Sequence, residues 1–218
     1  MVGYLNGKGK RVLITINEAD NSEQIKLFVQ AYQSLIRQGY KILLLMTGLY
    51  ENISKLQDDR SLTFLYRAPK INLEPLNINS IATSYEANLG VDSKKALEFA
   101  KFTNGYAYAY QVLGHLLYNE DAKELTPTVI NDFDQYMADY VYDKVYSKLS
   151  SNEQKLLLNF KTNDAVKAEE LRERTNFDSR TLCVYRDRLL KRGVLLSPKY
   201  AYLKFSLPRF AEYLRGKD

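Results

Sequence analysis

Two clusters of residues in this 218-residue chain have the types and spacing to do chemistry. The first ends the stretch RVLITINEAD, Arg11 to Asp20, where five apolar or β-branched residues run straight into Asn17 and Glu18. A carboxylate at the end of a buried strand can polarise an attacking water, and an acid just before it can hold Mg²⁺. Position 17 is an amide, so the stretch has three readings: a hydrolytic site, the remains of one, or an ordinary core strand. The second cluster is basic. In DSRTLCVYRDRLLKRGVL, Leu182, Tyr185, Leu189 and Leu190 face inward at helical spacing. Arg180, Thr181, Arg186, Arg188, Lys191 and Arg192 are left largely for the outer surface. A helix of this kind fits the major groove of duplex DNA, where arginines reach phosphates and guanine edges. A protein-interaction module is the competing reading of the same surface.

Other chemistries lack their parts. His115 is the single histidine, which leaves no Ser-His-Asp arrangement and no histidine-built metal site; a packing or surface role is expected. Cys183 is the single cysteine, which excludes an internal disulfide framework and a cysteine metal site; a small core residue is expected. The phosphate loop G-x-x-x-x-G-K-[ST] occurs nowhere, and GKGKR at Gly7 to Arg11 lacks both its spacing and the following helix. The residues present therefore offer no cradle for β- and γ-phosphates.

The elements that position these clusters alternate at first. RVLITI is followed by a helical stripe at Ile25, Phe28, Val29, Tyr32, Leu35 and Ile36, with Ser22 as N-cap and Gly39 at the end. YKILLLMTG, apolar on both faces, reads as a buried parallel strand. A short helix (Leu49 to Leu56), a polar turn and an extended segment bracketed by Pro69 and Pro75 complete a β-α-β-α-β order, which implies a right-handed parallel α/β core. Three short helices separated by Gly90 and Gly105 follow. Thr126-Pro127 then opens a long helix with a stripe at Val129, Phe133, Tyr136, Met137, Tyr140, Val141 and Val145. The last section gives three helices, with Asp178 or Ser179 capping the third and Gly193 ending it. A hairpin around Ser197-Pro198-Lys199 completes a winged helix-turn-helix, whose wing brings Lys199, Tyr200 and Lys204 toward a DNA backbone or minor groove.

Charge follows the same division. From Ser150 onward there are 15 Lys/Arg against 9 Asp/Glu, whereas the remaining residues carry 16 against 17. The basic excess sits in the last third, which points to a polyanionic partner for that part. Nothing approaches the ~18 consecutive apolar residues of a transmembrane helix, so no membrane partner is expected. A cytoplasmic location is the default expectation.

The order of these parts resembles the AAA+ and STAND-type ATPases, the archaeal-type group in particular. RVLITINEAD looks like a Walker B strand and the run ending MTG like a sensor 1 strand. YRAPKINLEPL resembles the strand and segment leading into a helical lid, and FTNGYAYAYQVLGHLLY resembles the lid motif, with Ala107 where proline is usual. LKFSLPRFAEYL, after a winged helix, is typical of the group's ending. The resemblance covers nearly the whole chain. It implies a partial α/β core lacking the P-loop at 1–75, a helical lid at 76–148 and a winged-helix domain at 149–218. It further implies that Asn17 stands where an Asp holds Mg²⁺ through water, that Glu18 polarises the attacking water, and that Thr47 senses the γ-phosphate. Arg67 would act in trans and Gly105 would shape the adenine-side pocket. ATP and Mg²⁺ are cofactors of an intact relative, not of this chain alone.

The expectation is thus a truncated or degenerate ATPase module, inactive by itself, that binds double-stranded DNA. The alternatives are the C-terminal half of an ATP-hydrolysing protein whose P-loop lies in a missing segment, and a protein-interaction scaffold. Without a P-loop strand the sheet is expected to pair the segment Lys70 to Leu73 on the sensor 1 strand, or to form a homodimer through an exposed edge.

Overall fold

The computed structural model describes residues 1–217, which divide into two compact units, one of Met1–Asn72 and one starting at Leu73. In the first unit a short helix α1 (Val2–Gly7) precedes strand β1 (Val12–Ile16), helix α2 (Glu23–Arg37), strand β2 (Ile42–Met46) and helix α3 (Tyr50–Asp58). β1 and β2 pair in parallel, in register from Val12 opposite Ile42 to Ile16 opposite Met46, with α2 as the crossover. The Ser22 hydroxyl accepts the Ile25 N–H, as a helix N-cap should, and Gly39 ends the turn after α2 at φ +83°.

A small core of Val29, Leu56, Leu62 and Leu65, with Leu44 and Met46 packed on it, covers one side of this sheet. The other side is bare. Leu13 is 60% exposed, Leu43 55% and Leu45 48%, so β2 is not buried on both faces as its apolar run suggests. The strand expected around Lys70 to Leu73 does not form, nor does its pairing on β2. Arg60–Arg67 winds instead as a 3₁₀ segment, started by Asp59, whose carboxylate accepts the Ser61 N–H at 2.9 Å and its hydroxyl at 2.7 Å. Leu62 and Leu65 are buried in this segment, and Pro69 and Pro75, which lack a backbone N–H, bracket the extended stretch that follows.

The second unit is helical. α4 (Ile78–Leu89), α5 (Ser93–Phe102) and α6 (Ala107–Asn119) lead to α7 (Pro127–Met137), which continues through a π-helical turn (Ala138–Tyr142) into α8 (Asp143–Tyr146). Val129, Phe133, Met137 and Val141 are buried, whereas Tyr136 and Tyr140 of the expected stripe are 39% and 55% exposed. Then come α9 (Ser151–Leu158), β3 (Val166–Lys167), α10 (Ala168–Thr175), α11 (Ser179–Lys191), the hairpin β4 (Leu195–Leu196) and β5 (Tyr202–Phe205), and α12 (Phe210–Arg215). The strands form an antiparallel sheet in the order β3-β5-β4, one strand more than the hairpin alone. A single core runs through the unit, from Tyr85 and Phe99 to Leu189, Phe205 and Phe210.

One buried carboxylate ties this unit together. Glu153 is 1% exposed, and one of its oxygens accepts the Ser150 N–H at 2.8 Å, the Ser150 hydroxyl at 2.7 Å and Arg192 Nη1 at 3.3 Å. It thereby caps α9 and joins it to the end of α11. Glu153→Ala should lower the urea midpoint by an amount equivalent to about 1–3 kcal/mol, because a cap and an ion pair are lost together. Glu153→Gln, which keeps an acceptor for Ser150, should cost less.

Candidate functional site

Parallel, in-register pairing brings the C-terminal ends of β1 and β2 side by side. There the Thr47 hydroxyl donates to Asn17 Oδ1 at 2.7 Å, while the Ala19 N–H reaches the Thr47 carbonyl at 2.7 Å and the Thr47 N–H reaches the Ile16 carbonyl at 2.9 Å. Asn17, Glu18 and Thr47 are thus one exposed cluster, in a loop bent sharply enough to hold Glu18 in the left-handed region at φ +56°. Gly48 permits the close approach: a Cβ there would lie 2.5 Å from the Ala19 carbonyl oxygen.

The donor set does not fit a divalent cation. Asn17 Oδ1 is engaged by Thr47, and the next acid, Asp20, accepts the Ser22 hydroxyl at 2.5 Å and its N–H at 3.1 Å, which hold the carboxyl below its ordinary pKa. That leaves Glu18 and the second oxygen of Asp20, and among the described residues no group of three or more His, Cys, Asp or Glu could hold a metal. Arg67 is exposed at the end of the 3₁₀ segment. Gly105 belongs to the second unit, where it stands at φ +75°; its carbonyl accepts the Leu76 N–H at 2.8 Å, and a Cβ on it would fall 2.7 Å from the Leu76 carbonyl oxygen. That glycine is required by packing, whatever else it does.

The basic cluster is built on α11. Asp178 caps the helix by accepting the Thr181 N–H at 2.7 Å, an interaction that lowers its pKa, and Gly193 ends it at φ +69°. Leu182 and Leu189 are buried and Tyr185 and Leu190 half-buried, which turns Arg180, Arg188 and Lys191 outward. Thr181 is half-buried at the first turn. Arg186 is paired with Asp187 (2.9 Å), which raises its pKa. Arg188 lies 5.6 Å from the Tyr185 ring centre, and Lys199 lies 3.8 Å from that of Tyr202. Tyr200, at the hairpin tip, is 97% exposed.

Three placements differ from the sequence expectation. Arg192 turns inward to Glu153 and the Lys148 carbonyl, since the buried carboxylate needs a cation. Lys204 donates to Asn104 Oδ1 at 2.8 Å, while the Asn104 amide donates to the Phe205 and Ser206 carbonyls, so this lysine belongs to a clasp on β5. Cys183 is exposed, with Arg186 Nη2 3.6 Å from its sulfur, because it sits one position past the buried Leu182. His115 is exposed on α6, its Nε2 3.0 Å from Asn119 Nδ2. Asn104 escaped the sequence reading; the Asn-Gly pair at 104–105 marks a tight turn but does not reveal what the side chain grips.

A family profile described as "Domain of unknown function (DUF8462)" matches residues 139–214, the part of the second unit that contains α9 to α12 except for its last residue. No curated protein matches the chain. Among solved structures, the Walker-type ATPase PABY2304 of Pyrococcus abyssi aligns over 98% of this chain with a TM-score of 0.69 at 12% identity. The Aeropyrum pernix ORC1 protein, solved in complex with DNA, aligns over the same share at 12% identity with a TM-score of only 0.37. The first likeness establishes the fold alone: the chain is built like that Walker-type ATPase. It spans 66% of the Pyrococcus protein's length.

Gly48→Ala tests the strand-end geometry. The added methyl should cost about 1–3 kcal/mol by overpacking and speed hydrogen exchange at the Ala19 and Thr47 amides, with the amides of α11 unchanged.

Proposed function

We propose that this chain is an ATPase-derived regulatory module, not catalytic alone, whose C-terminal winged helix-turn-helix binds double-stranded DNA. The observation that carries the reading is the outward face of α11. Arg180, Arg188 and Lys191 are exposed on one helix, with Lys199 and Tyr200 exposed on the hairpin. α10 and α11 form the helix-turn-helix, with α11 as the recognition helix and β4–β5 as the wing. Arg186, half-buried and paired with Asp187, lies on another side of α11 and adds to the positive charge a phosphate would meet there. The whole of residues 76–148 serves as the lid of the parent fold.

Inactivity follows from the chemistry at the strand ends. Glu18 can polarise a water, but a γ-phosphate has no loop to hold it and Asn17 offers an amide where a metal site needs charge.

The bare sheet face favours a second reading. Leu13, Leu43 and Leu45 lie open on strands of a kind that normally pack on both sides. In that reading the chain is the C-terminal half of an ATP-binding protein whose P-loop lies in a segment outside these residues, and Glu18, Thr47, Arg67 and Gly105 recover their roles when it is present. A homodimer through the open sheet edge would cover the same strands.

Fluorescence anisotropy with duplex DNA tests the first reading. Affinity should fall steeply with salt, and Arg186→Ala/Arg188→Ala should weaken it at least tenfold and flatten the salt dependence, each lost phosphate contact lowering the slope by ~1. Absence of retention on DNA even at low salt would overturn it in favour of a protein-interaction scaffold. Robust Mg²⁺-dependent ATP turnover by the chain alone would overturn the claim of inactivity.

A further inference from the structure

The α7 helix and its π-helical turn carry a row of aromatic side chains that the core leaves open to solvent. Asp132, Tyr136, Tyr140 and Lys144 follow one another at intervals of four along the outside of the same continuous helix. Tyr136 and Tyr140 stack, with ring centres 6.2 Å apart and planes 20° from parallel, and Tyr108 of α6 leans on Tyr140 at 6.3 Å. Lys144 Nζ lies 5.7 Å from the Tyr140 ring centre, so one end of the ladder already takes a cation. The other end is Tyr136, with the exposed Asp132 one turn before it and the exposed Asp139 on the adjoining row. Stacked, solvent-facing tyrosines give up little conformational entropy on contact and are typical anchors of interfaces. The π turn gives the patch a local distortion of a kind found at functional sites.

The charge around the ladder selects the partner. Asp132 and Asp139 repel a phosphate backbone, which argues against nucleic acid here, and favour a guanidinium or ammonium laid on a tyrosine face beside a carboxylate. This chain itself displays such a surface on α11. We propose that the Asp132–Tyr136–Tyr140 ridge docks the Arg180–Arg188–Lys191 face of α11 in a second copy of this chain. The two surfaces differ, so the contact is head-to-tail and need not stop at a dimer. It borrows the helix assigned above to DNA but does not depend on DNA binding.

Sedimentation velocity on the full chain at low and high salt tests the proposal. Association should rise with concentration at low salt, weaken at least tenfold at 0.5 M salt, and weaken at least tenfold in Tyr136→Ala/Tyr140→Ala, a surface change whose folding is checked by circular dichroism. Charge reversal of the ridge (Asp132→Lys/Asp139→Lys) and of the helix (Arg180→Glu/Arg188→Glu) should each leave monomers, while an equimolar mixture of the two variants associates again. A chain that stays monomeric at low salt, or mixed variants that stay apart, would overturn the proposal. So would self-association that ignores these changes but is lost in Leu43→Glu, which would place the contact on the bare sheet face. Loss of DNA binding with self-association intact would sink the DNA reading and leave this one standing.

Discussion

Each helix here must bury one stripe, and that requirement decides what the chain can show to a partner. On α11, Leu182 and Leu189 go inward and fix the rotation of the helix. Each basic residue then lands where the remaining arc puts it: Arg180, Arg188 and Lys191 out, Arg186 half-buried beside Asp187, Arg192 back toward Glu153. On α7 the row Val129, Phe133, Met137, Val141 is held in the core, and the neighbouring row, offset by one residue, is pushed into solvent with its tyrosines. The apolar contacts are large in sum and non-directional. They set the frame, and the polar surfaces follow from it.

The strands obey the equivalent rule with a period of two. Register places Asn17 and Thr47 at one end, where a backbone ladder already holds them close, and a hydroxyl–amide bond forms between them. An aspartate in that position would accept from the same hydroxyl and still present a charged oxygen to a cation. Asparagine accepts with its one carbonyl oxygen and leaves an NH₂ group, a donor, on the other arm. Compared with an aspartate, Asn17 therefore differs in the sign of what the loop offers as well as in charge, while keeping the contact that orders the strand ends.

Much of this architecture is readable from spacing. The Ser22, Thr126 and Asp178 caps, the αL glycines at 39, 90, 105 and 193, and the buried rows of α7 and α11 are local signals with a local cause. What escapes is decided at a distance. Nothing near Lys204 announces Asn104, a hundred residues away, and nothing near Arg192 announces a buried Glu153. The failed strand at 70–73 is a four-residue stretch held between Pro69 and Pro75, where no neighbouring strand offers it a ladder. Tyr136 and Tyr140 belong to a stripe by hydropathy alone. Only the packing of the unit shows that the stripe is too wide for one groove, so that its tyrosine edge stays wet.

The same reasoning links the candidate surfaces. An isolated arginine face is ambiguous, since phosphates and acidic protein surfaces satisfy it alike. When the body that carries +6 in its last third also carries a tyrosine ridge flanked by unneutralised aspartates, each surface becomes a competitor for the other's ligand. The proposed head-to-tail contact is favoured by low salt; at physiological ionic strength, screening over about 8 Å weakens it. A polyanion that neutralises several arginines at once gains from counterion release what a two-carboxylate ridge does not. Duplex DNA should therefore displace the protein contact, so that the two proposed uses of α11 are ordered by charge density.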